Sequence, residues 1–257
     1  MRDQVHVCND PESLAQYAST WLQRLITQHH LSSSAPFIIS LAGGTTPKRL
    51  YELLASLPPG EIDWQRIILL WGDERCVATD DKQSNFRMVK ESLLDHVDIP
   101  AENVLSVPHP EQSPQSVADA YEEFLRERLH QSKPRGFPRV HCALLGLGND
   151  VHTASLFPGT SAIAEKTRIV VANHVPQLDS WRITLTAPML NAARNVAFLI
   201  SGQSKRNAIA SMWHAAKDTQ RFPAQLIRPR NGQLWYLMDK AAIGNTPLPE
   251  TVMVQLI

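Results

Sequence analysis

The residues with the clearest chemical capacity lie in "LGNDVHTASLFPGT", 147–160, where an acid, Asp150, stands two positions before an imidazole, His152. A neutral imidazole with an ordinary pKa of about 6.5 can take a proton from water near neutral pH. Asp150 is close enough in sequence to hold that ring, or a substrate hydroxyl, in place. Three other short segments suit an anion. In "AGGTTP", 42–47, Gly43 and Gly44 allow close backbone approach, and the helix expected from Thr45–Thr46 aims free N–H groups at the turn, as phosphate sites do. In "GDER", 72–75, Arg75 can fork onto phosphate oxygens while a neighbouring acid such as Asp73 orients the arginine or a sugar hydroxyl. In "SGQSKRN", 201–207, Lys205 supplies a further cation just past a strand.

Each segment also has an ordinary reading: a tight turn, a solvated charge cluster, a surface lysine, a capping histidine. Taken singly, the ordinary readings prevail. Other chemistries are excluded more directly. "GLGNDV" carries Val151 where a dinucleotide fingerprint needs its last glycine, and Pro158 and Gly159 interrupt any long helix after it. The chain has no GxxxxGK[ST], no GxSxG elbow, no HExxH helix and no CxxC. "HVC", 6–8, falls on an expected strand, so no metal site is expected. "RFPAQLIRPRNG", 221–232, has three arginines separated by proline and apolar residues and reads as a structural loop.

The elements that must position these groups alternate between strand and helix. Apolar runs at 37–43, 66–72, 140–146 and 195–201 read as buried strands, with "NVLSV", "RITLT" and "QLWYLMD" as further candidates. Amphipathic segments at 10–26, 45–57, 84–97 and 116–131 read as helices, the first with Asp10 as N-cap and Pro11 as its first residue. "KPRGFPR", 133–139, reads as a loop. The pattern implies an α/β fold: a mostly parallel twisted sheet with helices on both faces, a Rossmann-like three-layer sandwich. With no repeat or evident linker, residues 1–257 read as one domain. In such folds ligands bind beyond the carboxyl ends of the strands, where all four candidate segments would gather.

Composition narrows the partners. Lys+Arg and Asp+Glu both number 25, which argues against wrapping nucleic acid or sitting on anionic lipid. No apolar run approaches the roughly 20 residues of a membrane helix. The N-terminus lacks a signal-peptide core, and three scattered cysteines suggest reduced thiols in a cytoplasmic protein. Oligomeric state has no sequence signal.

Together the segments resemble the glucosamine-6-phosphate isomerase/6-phosphogluconolactonase family. The resemblance rests on "GGTTP", "GDER", "SNFRM", "LLGLGNDVHTASLFPG", "RITLT", "FLISGQSK" and "LWYLMD" in shared order. "HTASLFPG" points to the lactonase branch, because the deaminase loop resembles "GHIAFNEP". The resemblance implies hydrolysis of 6-phospho-D-glucono-1,5-lactone in the oxidative pentose phosphate pathway, without metal or organic cofactor. His152 would then activate water and Asp150 support it. Arg75 and Lys205 would hold the phosphate, with Gly43, Gly44 and Thr45 lining the pocket, Asp73 beside them and Arg182 as a further phosphate contact. One position departs: the family reads Asp-Gly-His, and Val151 replaces the glycine. At positive φ a β-branched residue costs about 1–2 kcal/mol or tilts the loop; at negative φ it is harmless. Two alternatives therefore stand beside the lactonase: a sugar-phosphate-binding protein with weak or no catalysis, and a glucosamine-6-phosphate deaminase-like enzyme.

Overall fold

The structure, a computed structural model, describes residues 3–108, 113–129, 136–249 and 252–257. In chain order the regular elements are β1 (Asp3–Cys8), α1 (Pro11–Ser32), β2 (Phe37–Leu41), α2 (Thr45–Ala55), β3 (Ile67–Trp71), β4 (Asp73–Arg75), α3 (Asn85–Ser92), β5 (Val104–Leu105), α4 (Pro114–Arg128), β6 (Cys142–Leu145), β7 (Val170–Val175), β8 (Ser180–Leu185), α5 (Ala187–Leu190), β9 (Asn195–Ile200), α6 (Arg206–His214), β10 (Gln233–Asp239), α7 (Lys240–Ile243) and β11 (Val252–Leu256).

Eight strands form one sheet in the order β11-β1-β10-β9-β6-β2-β3-β5, and every pairing in it is parallel. All five residues of β3, "IILLW", are buried. Successive strand residues point to opposite faces, so both faces are covered, which is why the run lacks polar alternation. The α/β architecture expected from the alternating pattern is present.

The chain runs from β2 outward through β3 and β5, returns to β6 on the other side of β2, and continues outward to β9 and β10. The direction reverses between β2 and β6. A crevice opens at such a reversal, beyond the strand ends, because the flanking crossovers diverge. The four strands whose exits carry the candidate segments, β9, β6, β2 and β3, are consecutive in the sheet.

Several boundaries differ from the sequence expectation. "GDER" is not only a turn. Asp73–Arg75 forms β4, which joins β8 and β7 in a separate antiparallel sheet, and "RITLT" lies largely on β8. A three-residue strand has too little pattern to announce itself; it exists because β8 offers it an edge. The helix expected over 84–97 ends at Ser92, followed by a 3-10 turn at 94–96, because buried Leu93 leaves helical geometry at φ −139°. The first helix instead runs on to Ser32. "NVLSV" is strand only at Val104–Leu105. The end of the helix expected over 116–131 and the start of the loop at 133–139 lie outside the described residues.

Candidate active site

The exits of β2, β3, β6 and β9 surround a cavity of about 770 Å³. Gly43, Gly44, Thr45, Asp73, Arg75, Asp150, His152, Arg182 and Lys205 all line it.

After β2 the chain enters α2 with Gly44 as N-cap, which offers no side-chain acceptor to the first N–H groups. Those groups face the cavity with the positive end of the helix dipole. The loop is held from beneath by buried Tyr51, whose hydroxyl accepts from the Ala42 N–H at 3.0 Å and donates to the Ala42 carbonyl at 2.9 Å. Gly43 is required by crowding: a Cβ there would lie 2.0 Å from Asn85 Oδ1.

After β3, the alternation of β4 separates its three charged residues. Asp73 and Arg75 face the cavity, while Glu74 turns inward and is buried. Its carboxylate accepts the N–H groups of Asn85 and Phe86, both at 2.7 Å, and so caps α3. Burial raises the Glu74 pKa, against the pull of these N–H groups. Asp73 Oδ2 accepts from Ser155 Oγ at 2.7 Å, and the Asp73 carbonyl accepts from Asn85 Nδ2 at 2.9 Å.

The β4–β8 register sets Arg75 opposite Arg182. Arg75 donates to the Gln83 carbonyl. Arg182 is 8% exposed and donates to Ser180 Oγ at 2.5 Å and the Trp181 carbonyl at 3.1 Å. Burial, and then the charge of Arg75, lower the Arg182 pKa. Across the cavity Lys205, in the 3-10 turn before α6, donates to Asn149 Oδ1 at 3.0 Å. Burial lowers the pKa of Lys205, partly offset by Asp150. Among the described residues none of these three cations has a carboxylate within ion-pair distance. Two arginines in register across the strand pair and a half-buried ammonium, none in a close ion pair, favour an anionic ligand.

After β6, the Val151 N–H bonds the Gly148 carbonyl at 3.0 Å and the Gly148 N–H bonds the His152 carbonyl at 2.8 Å. This is the bonding of a three-residue hairpin loop closed by a bulge, whose third residue is left-handed and normally glycine. Val151 occupies that place with φ +66°. In this loop His152 Nδ1 lies 2.5 Å from Asp150 Oδ1. The Val151 side chain is buried at 3% exposure, and its carbonyl accepts the Ala224 N–H at 3.0 Å. Burial raises the Asp150 pKa, but the His152 hydrogen bond and charge outweigh it and the net shift is downward. The carboxylate is therefore an acceptor, which makes Nδ1 the protonated ring nitrogen and leaves Nε2 as the basic one. Gly148 is needed here too, because a Cβ would lie 2.1 Å from His152 Nδ1.

A family model described as glucosamine-6-phosphate isomerases/6-phosphogluconolactonase matches residues 9–236. The chain belongs to this family. The 6-phosphogluconolactonase of Nostoc sp. is 38% identical over 243 residues, 94% of this chain and 98% of that protein. That of Synechocystis sp. is 38% identical over 247 residues, covering 95% and 99%. The crystal structure of 6-phosphogluconolactonase from Leishmania guyanensis superposes with a TM-score of 0.85 at 26% identity, covering 96% of this chain and all of that one.

Among the lining residues not singled out from the sequence are Asn85, Ser155 and Phe157. All lie in family-resembling segments, but their types carry no catalytic signature. Asn85 and Ser155 matter because they fix Asp73 from two sides, and contacts across 12 and 82 residues have no local signal. Among the described residues no group of three or more His, Cys, Asp or Glu could hold a metal, and no helix is long and apolar enough to cross a membrane.

Proposed function

We propose that this chain hydrolyses 6-phospho-D-glucono-1,5-lactone to 6-phosphogluconate, the lactonase step of the oxidative pentose phosphate pathway. The observation that carries the reading is the His152–Asp150 pair opening on a cavity whose three cations, among the described residues, have no carboxylate within ion-pair distance. The substrate phosphate would sit among Arg75, Arg182, Lys205 and the N-terminus of α2 with Gly43, Gly44 and Thr45, while Asp73 accepts a sugar hydroxyl. Anchoring one end of a small dianion orients the lactone carbon at the other.

Water then attacks C1 as His152 Nε2 removes one of its protons, forming the C–O bond and placing charge on the carbonyl oxygen. Asp150 stabilises the imidazolium through Nδ1. Loop N–H groups are suited to stabilise the oxyanion. Collapse of the tetrahedral intermediate breaks the bond from C1 to the ring oxygen. That oxygen takes the proton back from His152 and becomes the 5-hydroxyl of the acid. Base assistance of this kind contributes roughly 10²–10⁴-fold.

The test is acid release from 6-phosphogluconolactone generated in place, measured against the spontaneous rate, with His152→Ala alongside. Acceleration lost in the variant is the expected result. Binding of 6-phosphogluconate without acceleration would support the non-catalytic binding protein. Ammonia release from glucosamine-6-phosphate would support the deaminase, which "HTASLFPG" disfavours.

A further inference from the structure

His152 makes one contact that the proton transfer does not use. Its imidazole lies against the Phe157 ring, with centroids 4.0 Å apart and planes 24° from parallel. Phe157 is buried and lines the same cavity. Its position is held by its surroundings. The Phe157 carbonyl accepts both the Thr160 N–H at 3.2 Å and the Thr160 hydroxyl at 2.7 Å. That hydroxyl is bonded in turn by buried Asn173, whose amide also holds the Ser155 carbonyl at 2.8 Å. Between the two rings the chain reverses through Thr153–Leu156, closed by Leu156 N–H to the Thr153 carbonyl at 3.0 Å, with Ala154 left-handed at φ +47°. A backbone conformation disfavoured for an L-residue is thus retained in the segment that brings Phe157 back onto His152.

We propose that Phe157 is a positioning residue for His152: its face holds the imidazole plane so that Nδ1 meets Asp150 while Nε2 faces the cavity, and it favours the imidazolium formed during turnover. This rests on His152 being the general base. A single hydrogen bond to Asp150 leaves the ring free to rock about the Nδ1···O axis; a stacked ring removes that motion. The negative π face also attracts a cation at this distance, whereas an aliphatic group of similar size does not. The other charges near His152 are Asp150 in its own loop, Lys205 by way of Asn149, and Asp73, Arg75 and Arg182 lining the same cavity. Phe157 carries no charge, so replacing it alters none of them.

The experiment compares wild type with Phe157→Leu and Phe157→Tyr, by steady-state kinetics across pH and by NMR titration of the His152 ring signal in the ligand-free protein. In Phe157→Leu, kcat is expected to fall about 3–30-fold with KM nearly unchanged. The acid limb of the pH–rate profile and the midpoint of the ring titration should move to lower pH by roughly 0.5–1 unit. Phe157→Tyr should restore both. A Phe157→Leu protein with wild-type kcat and midpoint overturns the proposal, as does an equal loss in the Leu and Tyr variants, which would mark simple packing. Should Phe157→Leu not fold, as judged by circular dichroism, Phe157→Met gives the same comparison. The titration needs no turnover. A wild type without lactonase activity therefore refutes the functional reading, while the midpoint shift still decides the role of Phe157.

Discussion

Replacing Val151 with glycine separates two opposing terms in the loop that carries His152. The left-handed backbone at φ +66° costs an L-residue about 1–2 kcal/mol, which glycine would recover. Against this, the isopropyl group is 3% exposed, and removing it loses about 1.5–3 kcal/mol of burial, more if a cavity remains. Glycine also loosens the unfolded chain, costing a further ~0.5–1 kcal/mol. With middle values, burial and chain entropy outweigh relief, and Val151→Gly should destabilise the protein by about 1–2 kcal/mol. For a chain of this size that is a fall in Tm of about 2–4 °C. The assay is urea unfolding followed by tryptophan fluorescence, with thermal melts alongside. The midpoint should fall with the slope m unchanged, because the surface exposed on unfolding barely alters. A variant as stable as wild type, or more so, would refute the reasoning: the buried side chain would then not be what holds this loop in a disfavoured conformation.

Further expectations concern the neighbouring glycine and the response to pH. Gly148→Ala would place a Cβ 2.1 Å from His152 Nδ1, so the ring must move off Asp150; kcat should drop by at least about 10²-fold while 6-phosphogluconate still binds, as calorimetry would report. His141 is pushed down to about 4 by burial and then by the charges of His29, Arg194, Arg139 and His30, and its Nδ1 accepts the Ile38 N–H at 3.0 Å. A histidine held neutral in the fold contributes stability that is fully present above its unfolded pKa of about 6.5 and is lost as pH falls from there through 4. Tm should therefore decline between pH 6.5 and 4. His141→Gln should flatten that decline, and an unchanged slope in the variant would remove His141 as its cause.

The alternation of apolar strands with amphipathic helices, and the glycine-containing turns at the strand ends, are local properties written in windows of a few residues. They were enough to place Gly43, Gly44, Thr45, Asp73, Arg75, Asp150, His152 and Lys205 beyond the carboxyl ends of a parallel sheet, and the shared motif order identified the family. Other features depend on pairings between distant segments. Glu74 was indistinguishable from its acidic neighbour Asp73 until β4 paired with β8, because side-chain direction in a strand is set by register. Arg182 faces Arg75 only because a second, antiparallel sheet brings residues about a hundred positions apart into register. The sign of φ at Val151 was open in the sequence. It is decided where the two bonds closing the 148–152 loop, the Ala224 contact and burial of the side chain together outweigh a backbone preference of about 1–2 kcal/mol. The stack of Phe157 on His152 depends in the same way on Asn173 and Thr160 fixing the returning chain. Short-range preference set which residues could reach the cavity; long-range packing set which side of each strand and loop they present to it.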